Sequence, residues 1–265
     1  MVLSRPLTLP EYDFPSLEAG DVWLLGAGPG DPGLFTLLGL HALRQAEVVV
    51  YDALMDAAIL AWANPEAEQI FAGKRGGRVS PSQADISATL VARAKAGKRV
   101  VRLKGGDPLL FGRGGEEALA LLAAGVSFRF VPGVSSGLGG LAYAGIPLTH
   151  RSTNSAVTFI TGHSVTGNVP DNVDWAGLAK SSPALVIFMA MKHLDRIMAA
   201  LIAGGRDGAE PVAVVQNATL PTMRVLDTTV ARTVADVRAQ GFAAPALVVI
   251  GANVALRELL NWQEA

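Results

Sequence analysis

Ten short runs of β-branched and aliphatic residues, separated by Ala/Leu-rich stretches, confine this chain to an α/β fold. The first five are Val22–Gly26, Val48–Asp52, Glu68–Phe71, Val100–Lys104 and Ser127–Val131. After Pro132 the pattern resumes with Val157–Thr161, Leu185–Ala190, Val212–Asn217, Val225–Val230 and Leu247–Gly251. Gly, Pro, Asn or Asp bound most of them, as expected of buried strands. Helical spacing appears at Phe35–Gln45, Gln83–Lys95, Glu116–Ala124 and His193–Ala203. Such alternation predicts two α/β domains, each with a roughly five-stranded, mostly parallel sheet. Met223–Val230 follows Val212–Asn217 closely, which leaves part of the second sheet open to antiparallel pairing. The expected division is an irregular N-terminal arm over 1–20, one domain over 21–132 and another over 133–265. The linker is short, so the two domains are expected to face each other across an active-site cleft.

Composition removes whole classes of function. Half of the 265 residues are apolar or aromatic and 17% are charged, against about 25% in an average soluble protein. A disordered chain has the opposite balance. Lys+Arg number 22 and Asp+Glu 23, so a general nucleic-acid coat is not expected. There is no cysteine, hence no disulfide, thiolate metal site or cysteine nucleophile. His41, His150, His163 and His193 lie far apart without H-x-x-x-H spacing, so no metal is expected. No stretch reaches the ~18 uncharged apolar residues of a membrane span. The first twenty residues lack a basic start with an apolar core, so no signal peptide is read. The expected compartment is the cytoplasm.

Two glycine-rich loops mark candidate ligand sites. Gly26-Ala27-Gly28-Pro29-Gly30-Asp31-Pro32 follows the first strand and resembles half of a dinucleotide fingerprint, with Asp52 ending the next strand. A NAD-dependent dehydrogenase is therefore one reading. Against it, Pro29 and Pro32 each remove an N–H that a pyrophosphate would need. Asp31, at the expected helix N-cap, would occupy the remaining donors. The loop suits a ligand without phosphate, or is simply a tight turn before a capped helix. The second loop, Gly105-Gly106-Asp107-Pro108, ends the strand Arg99–Lys104, and Gly112-Arg113-Gly114-Gly115-Glu116-Glu117 then opens a helix. Adjacent glycines there allow close approach of a ligand to backbone, or serve packing. Lys74, Arg75, Arg78, Arg113, His150 and Arg151 form a local basic set that could recruit a polyanionic small molecule, or pair at the surface.

In the second half, Ser135 or Ser136 can cap a helix whose Gly/Ala run, Gly137–Gly145, leaves room for a flat ring against backbone. Met189 ends the strand Leu185–Ala190 and reads as core.

Together, GAGPGDP (Gly26–Pro32), VVVYDAL (Val48–Leu54), GKRGG (Gly73–Gly77), RLKGGDPLLFGRGGEE (Arg102–Glu117), VPGVSSGLGGLAYAGIPLTHR (Val131–Arg151) and TGH (Thr161–His163) resemble the uroporphyrinogen-III C-methyltransferases, within the S-adenosylmethionine-dependent tetrapyrrole methyltransferases. The resemblance covers about residues 20 to 255. It implies the tetrapyrrole methylase fold, a homodimer, and S-adenosyl-L-methionine as methyl donor with S-adenosyl-L-homocysteine as product. It places the donor against Pro29, Gly105, Gly106, Asp107, Leu110, Ser135, Ser136, Met189, Ala218 and Ala246. It assigns Asp52 as proton acceptor and Lys74 as proton donor. The implied reaction methylates uroporphyrinogen III at C2 and C7 to give precorrin-2 by way of precorrin-1. That product feeds cobalamin, sirohaem or haem d1 synthesis. Arg113 and Arg151 are expected to hold substrate carboxylates, with Glu116 orienting one of them or a pyrrole N–H. Two departures stand out: Leu109-Leu110 replace bulkier residues, and Asn217-Ala218-Thr219 replaces Asn-Gly-Thr. The rival readings are a later corrin methyltransferase, a haem d1 enzyme, a NAD-dependent dehydrogenase and a noncatalytic tetrapyrrole-binding module.

Overall fold

The computed structural model describes residues 12–53, 55, 57–73, 82–164 and 167–263. The chain divides into two compact units, Met1–Val134 and Ser135–Ala265. Each holds one five-stranded sheet.

In the first unit β1 (Val22–Gly26), β2 (Val48–Tyr51), β3 (Glu68–Phe71), β4 (Val100–Lys104) and β5 (Phe128–Val131) lie in the order β3-β2-β4-β1-β5. Every pairing is parallel. Helix α1 (Leu37–Gln45) covers one face, where Trp23, Leu25, Val49, Val101 and Leu103 meet Leu43. Helices α2 (Gln83–Lys95) and α3 (Gly114–Ala123) cover the other, where Val22, Leu24, Val48, Val50 and Val100 meet Ile86, Leu90 and Leu121. Both faces are buried, so the strands read as near-continuous apolar runs. Thr36 caps α1, and Ser82 with Asp85 forms a reciprocal capping box on α2. Residues 12–20 are irregular but not a detached arm. Leu17 is 2% exposed within the core, and the Phe14 ring stacks on His41 at 4.9 Å.

The sheet order sets the place of a site. The connection after β1 leads to β2 on one side, and the connection after β4 leads to β5 on the other. The two connections pass each other on opposite faces of the sheet, α1 on one and α3 on the other, and the loops leaving these adjacent strands meet at the carboxyl edge, where open α/β sheets bind ligands. Glycines close that edge tightly. A Cβ on Gly26 would stand 2.6 Å from the Gly106 carbonyl oxygen and 2.6 Å from the Gly133 Cα.

In the second unit β6 (Thr158–Thr161), β7 (Ala184–Phe188), β8 (Pro211–Gln216), β9 (Arg224–Thr229) and β10 (Ala246–Gly251) lie in the order β6-β7-β10-β8-β9. Here the mostly parallel expectation fails. Only β6–β7 is parallel, while β10 runs antiparallel to β7 and β8, and β8 to β9. The β8–β9 link is a short reversal, and β10 enters the centre of the sheet as a buried run that carries no directional signal. Helix α4 (Ser136–Tyr143) packs on the face of Val186, Ala213, Val215 and Val249. Helices α5 (Trp175–Ser181), α6 (Leu194–Ala203) and α7 (Thr233–Ala239) cover the face of Leu185, Ile187, Val214 and Val248. Among the described residues, no helix is long and apolar enough to cross a membrane.

The glycine contacts give a direct stability test. Gly26→Ala would press a methyl into two backbone segments and is expected to cost about 1–3 kcal/mol. Gly115→Ala, in the first turn of α3 with nothing within 4 Å, is expected to be neutral or to stabilise by up to ~1 kcal/mol. Urea unfolding of the two variants beside the parent protein measures both.

Candidate functional site at the carboxyl edge of the first sheet

The loops after β1 and β4 are tied to each other through backbone. Gly106 N–H donates to the Gly28 carbonyl at 2.7 Å, Gly28 N–H returns a bond to Gly106 at 3.2 Å, and Ala27 N–H donates to Lys104 at 2.7 Å. Gly28 and Gly106 sit at φ +80° and +68°, which favours glycine. Asp107 brackets the second loop, its Oδ1 accepting from Leu109 N–H at 2.8 Å and its Oδ2 from Gly133 N–H at 3.1 Å. Asp52 directly follows β2 and accepts from Gly105 N–H at 3.3 Å. The structure thus brings Asp52, Gly105, Gly106 and Asp107 to one edge, with Pro29 in the neighbouring loop. Asp31 caps only a single 3-10 turn, Pro32–Leu34, through Gly33 N–H at 2.6 Å. The main helix starts later, at Leu37, with its own cap. These bonds occupy the amides of Ala27, Gly28, Gly33, Gly105 and Gly106 within the protein. With Pro29 and Pro32 lacking N–H altogether, the edge is poorly built for a pyrophosphate and open to a donor that carries none.

Beneath this edge lies a charged group that reading the sequence missed. Arg102 and Lys104 are each 3% exposed and Glu117, on α3, is 0% exposed. Lys104 Nζ donates to both Glu117 oxygens at 3.0 Å, and Arg102 Nε donates to Oε1 at 3.1 Å. Gln83 Nε2 adds a bond to Oε1 at 3.0 Å. Burial pushes the Lys104 ammonium below the usual lysine range, and nearby Arg102 reinforces this, while Glu117 and Asp52 oppose it. The available signal was period two. Arg102 and Lys104 share a strand face with buried Val100, where a cation needs a buried anion.

Arg113 and Glu116 form a forked pair with each other, Nε–Oε1 3.0 Å and Nη2–Oε2 2.6 Å. The bond with Glu116 raises the Arg113 pKa, and the bond with Arg113 lowers that of Glu116. Arg113 is left-handed at φ +61° and opens α3 with no side-chain cap. Gly114 is approached by the Pro108 carbonyl, so protein packing accounts for it. Arg151 is exposed in a turn closed by His150 and Asn154, whose Nδ2 bonds the Leu148 carbonyl at 2.7 Å. Lys74, Arg75 and Arg78 lie outside the described residues. Among the described residues, no group of three or more His, Asp or Glu could hold a metal ion.

The second-unit candidates gather at one edge of their own sheet. Ser135 caps α4 through Gly137 N–H at 3.3 Å, and Ser136 begins that helix. Met189 follows β7, Ala218 follows β8, and Ala246 opens β10 opposite Gln216. Met189 is not core: β7 ends at Phe188, and Met189 turns left-handed at φ +54° with 47% exposure. The room expected along α4 for a flat ring is also filled. A Cβ on Gly137 would meet the Phe159 and Phe188 rings at 2.8 Å, and one on Gly140 the Ala218 Cβ at 2.7 Å. The close approach serves the protein's own sheet.

The family model of the Tetrapyrrole (Corrin/Porphyrin) Methylases matches residues 21–233. The chain is 60% identical to a uroporphyrinogen-III C-methyltransferase of Sinorhizobium sp over 94% of its length and 89% of the relative's. It is 47% identical to siroheme synthase 2 of Aeromonas hydrophila, over 92% of this chain but 51% of that longer protein. Among solved structures, the uroporphyrin-III C-methyltransferase of Thermus thermophilus complexed with S-adenosylhomocysteine aligns at TM-score 0.76 and 39% identity, covering 89% of this chain and 100% of that one.

Two adjacent glutamates separate buried from surface charge. Glu117→Ala, which removes the carboxylate to which both buried cations are hydrogen-bonded, is expected to cost about 3–5 kcal/mol. Glu116→Ala, at a half-exposed pair, is expected to cost no more than ~1 kcal/mol. Chemical denaturation of both variants is the measurement.

Proposed function

The chain belongs to the tetrapyrrole (corrin/porphyrin) methylases, and from that premise we propose that it is a uroporphyrinogen-III C-methyltransferase. It uses S-adenosyl-L-methionine to methylate C2 and C7, giving precorrin-2 through precorrin-1 with release of S-adenosyl-L-homocysteine. The product feeds cobalamin, sirohaem or haem d1 synthesis. The working form is a cytoplasmic homodimer. The observation that carries this reading is the internally bonded pair of glycine loops at the carboxyl edge of the first sheet. That edge supports a nucleoside ligand without phosphate, which the donor is.

The donor supplies an electrophilic methyl on a sulfonium. In this reading Pro29, Gly105, Gly106, Asp107, Leu110, Ser135, Ser136, Met189, Ala218 and Ala246 bind it. Asp107 acts through the loop, because both its carboxylate oxygens already accept backbone N–H groups. Carbon methylation leaves a proton to be removed from the macrocycle. Asp52, a part-exposed carboxylate at the end of β2, is the acceptor, and Lys74 is the donor. The residues otherwise contribute alignment of the reacting carbon with the methyl group. Arg113 and Arg151 hold acetate or propionate groups of the substrate. Glu116, already forked onto Arg113, sets that guanidinium's plane or takes a pyrrole N–H.

Anaerobic incubation with uroporphyrinogen III and methyl-labelled donor, read by product mass, tests the reaction. A gain of two methyl groups is expected. No gain, with S-adenosylhomocysteine still bound, moves the substrate to another tetrapyrrole. Arg151→Ala is expected to raise KM for the tetrapyrrole roughly tenfold, the size of one charge-assisted bond, and to leave donor affinity unchanged. An unchanged KM removes Arg151 from substrate binding.

A further inference from the structure

The charges buried beneath the first sheet's edge do not balance among themselves. Arg102 and Lys104 are two cations, and Glu117 is one anion. The second negative charge comes from Asp52, whose Oδ2 lies 3.8 Å from Arg102 Nη2. Asp52 is the member that reaches solvent, its side chain 23% exposed. One of its oxygens accepts from Gly105 N–H at 3.3 Å and the other lies 3.8 Å from the guanidinium, so the carboxylate stands between a backbone amide and a buried cation.

Arg102 is itself locked. Its Nε is on Glu117 at 3.1 Å, and its Nη1 donates to the carbonyls of Val50 at 3.3 Å and Leu103 at 3.0 Å. Val50 and Leu103 belong to the two strands that flank Asp52 and Gly105, so the guanidinium bridges β2 and β4 just beneath both contacts. Lys104 also holds Glu117, donating to both its oxygens, one of them shared with Arg102. No step of the methyl transfer uses Arg102, Lys104 or Glu117. We propose that Arg102, fixed by Glu117 and seconded by Lys104, is a positioning residue for Asp52, holding the orientation of the carboxylate that accepts the proton. The proposal rests on the assignment of Asp52 as that acceptor.

The physical case is preorganisation. A base works only within hydrogen-bond reach of its proton, and fixed charges in a water-poor site need no reorganisation during reaction. A small misplacement of such a group is costly in rate. A salt bridge that only stabilises the fold would explain the burial equally well, but it would act on turnover without regard to Asp52.

A double-mutant cycle separates the two. Arg102→Lys keeps the charge but loses the bridging geometry. It is expected to lower kcat by about tenfold, with KM and the Kd for S-adenosylhomocysteine within about twofold. Asp52→Asn is expected to lower kcat by about a hundredfold or more. In the Asp52→Asn background, Arg102→Lys is expected to cause no further loss. Lys104→Met, which leaves Glu117 paired with Arg102 and Gln83, is the second variant should Arg102→Lys fail to fold, and the same dependence on Asp52 is expected. Equal kcat losses in both backgrounds, or an unchanged kcat, overturn the positioning role and leave the proposed function standing. An Asp52→Asn enzyme with parental kcat overturns the role of Asp52 and this proposal together. No turnover of uroporphyrinogen III by the parent protein overturns the substrate reading first, and with it the step in which Asp52 acts.

Discussion

Glu117 is the carboxylate on which the first unit depends. It carries two almost fully buried cations, Arg102 and Lys104, and takes a further bond from Gln83. Without it, Lys104 would lose its hydrogen-bonded anion and Arg102 would keep only the more distant Asp52, 3.8 Å away, an arrangement costing several kcal/mol. With it, β4, α2 and α3 are joined at one point, directly under the loops that close the sheet's carboxyl edge. The helix opening with Gly114 is fixed where its first turn reaches that point, and the loop over 107–113 is correspondingly tight. Phe111 and Arg113 both take left-handed backbone there, as non-glycine residues do under constraint.

The loops above obey a second constraint, that of space. Gly26, Gly106 and Gly133 pass so close that a methyl on Gly26 or Gly133 would enter the next segment's backbone. That closeness lets Gly28 and Gly106 exchange hydrogen bonds, and lets Asp107 reach Gly133. The edge is therefore a rigid rim whose donors are mostly spent. Its chemistry is carried by carbonyls, apolar side chains and Asp52. A rim of this kind accommodates a nucleoside without phosphate far better than a pyrophosphate, and this links the fold to the tetrapyrrole methylases' chemistry.

Much of this was legible in the residues. The ten strands emerge where β-branched runs stand between Gly, Pro, Asn and Asp, with ends shifted by a residue or two. The two Gly-rich loops and Asp52 were visible because glycine pairs and a carboxylate at strand ends are local signals. What was illegible is non-local or geometric. β10 is as apolar as a parallel strand, and only its partners reveal its direction. Met189 looked like core because Leu185–Phe188 before it is core. One left-handed residue turns it outward. The Gly/Ala run of α4 read as room for a ligand, but Phe159 and Phe188, distant in sequence, fill that room. Arg102 and Lys104 drew no attention inside a motif where Gly105-Gly106 dominated, and Glu117 lies thirteen residues on from Lys104.

The forked contact between Arg113 and Glu116 has a consequence for selectivity in the proposed reading. In that reading Glu116 stays on Nε and Nη2 of Arg113, and the guanidinium has N–H donors left for a substrate carboxylate. A second carboxylate brought there meets Glu116 as well as the guanidinium, so the local charge turns negative and a lone acid gains little. Such a contact favours a molecule that presents several carboxylates on one rigid frame, because its other contacts hold the weak one at high effective concentration.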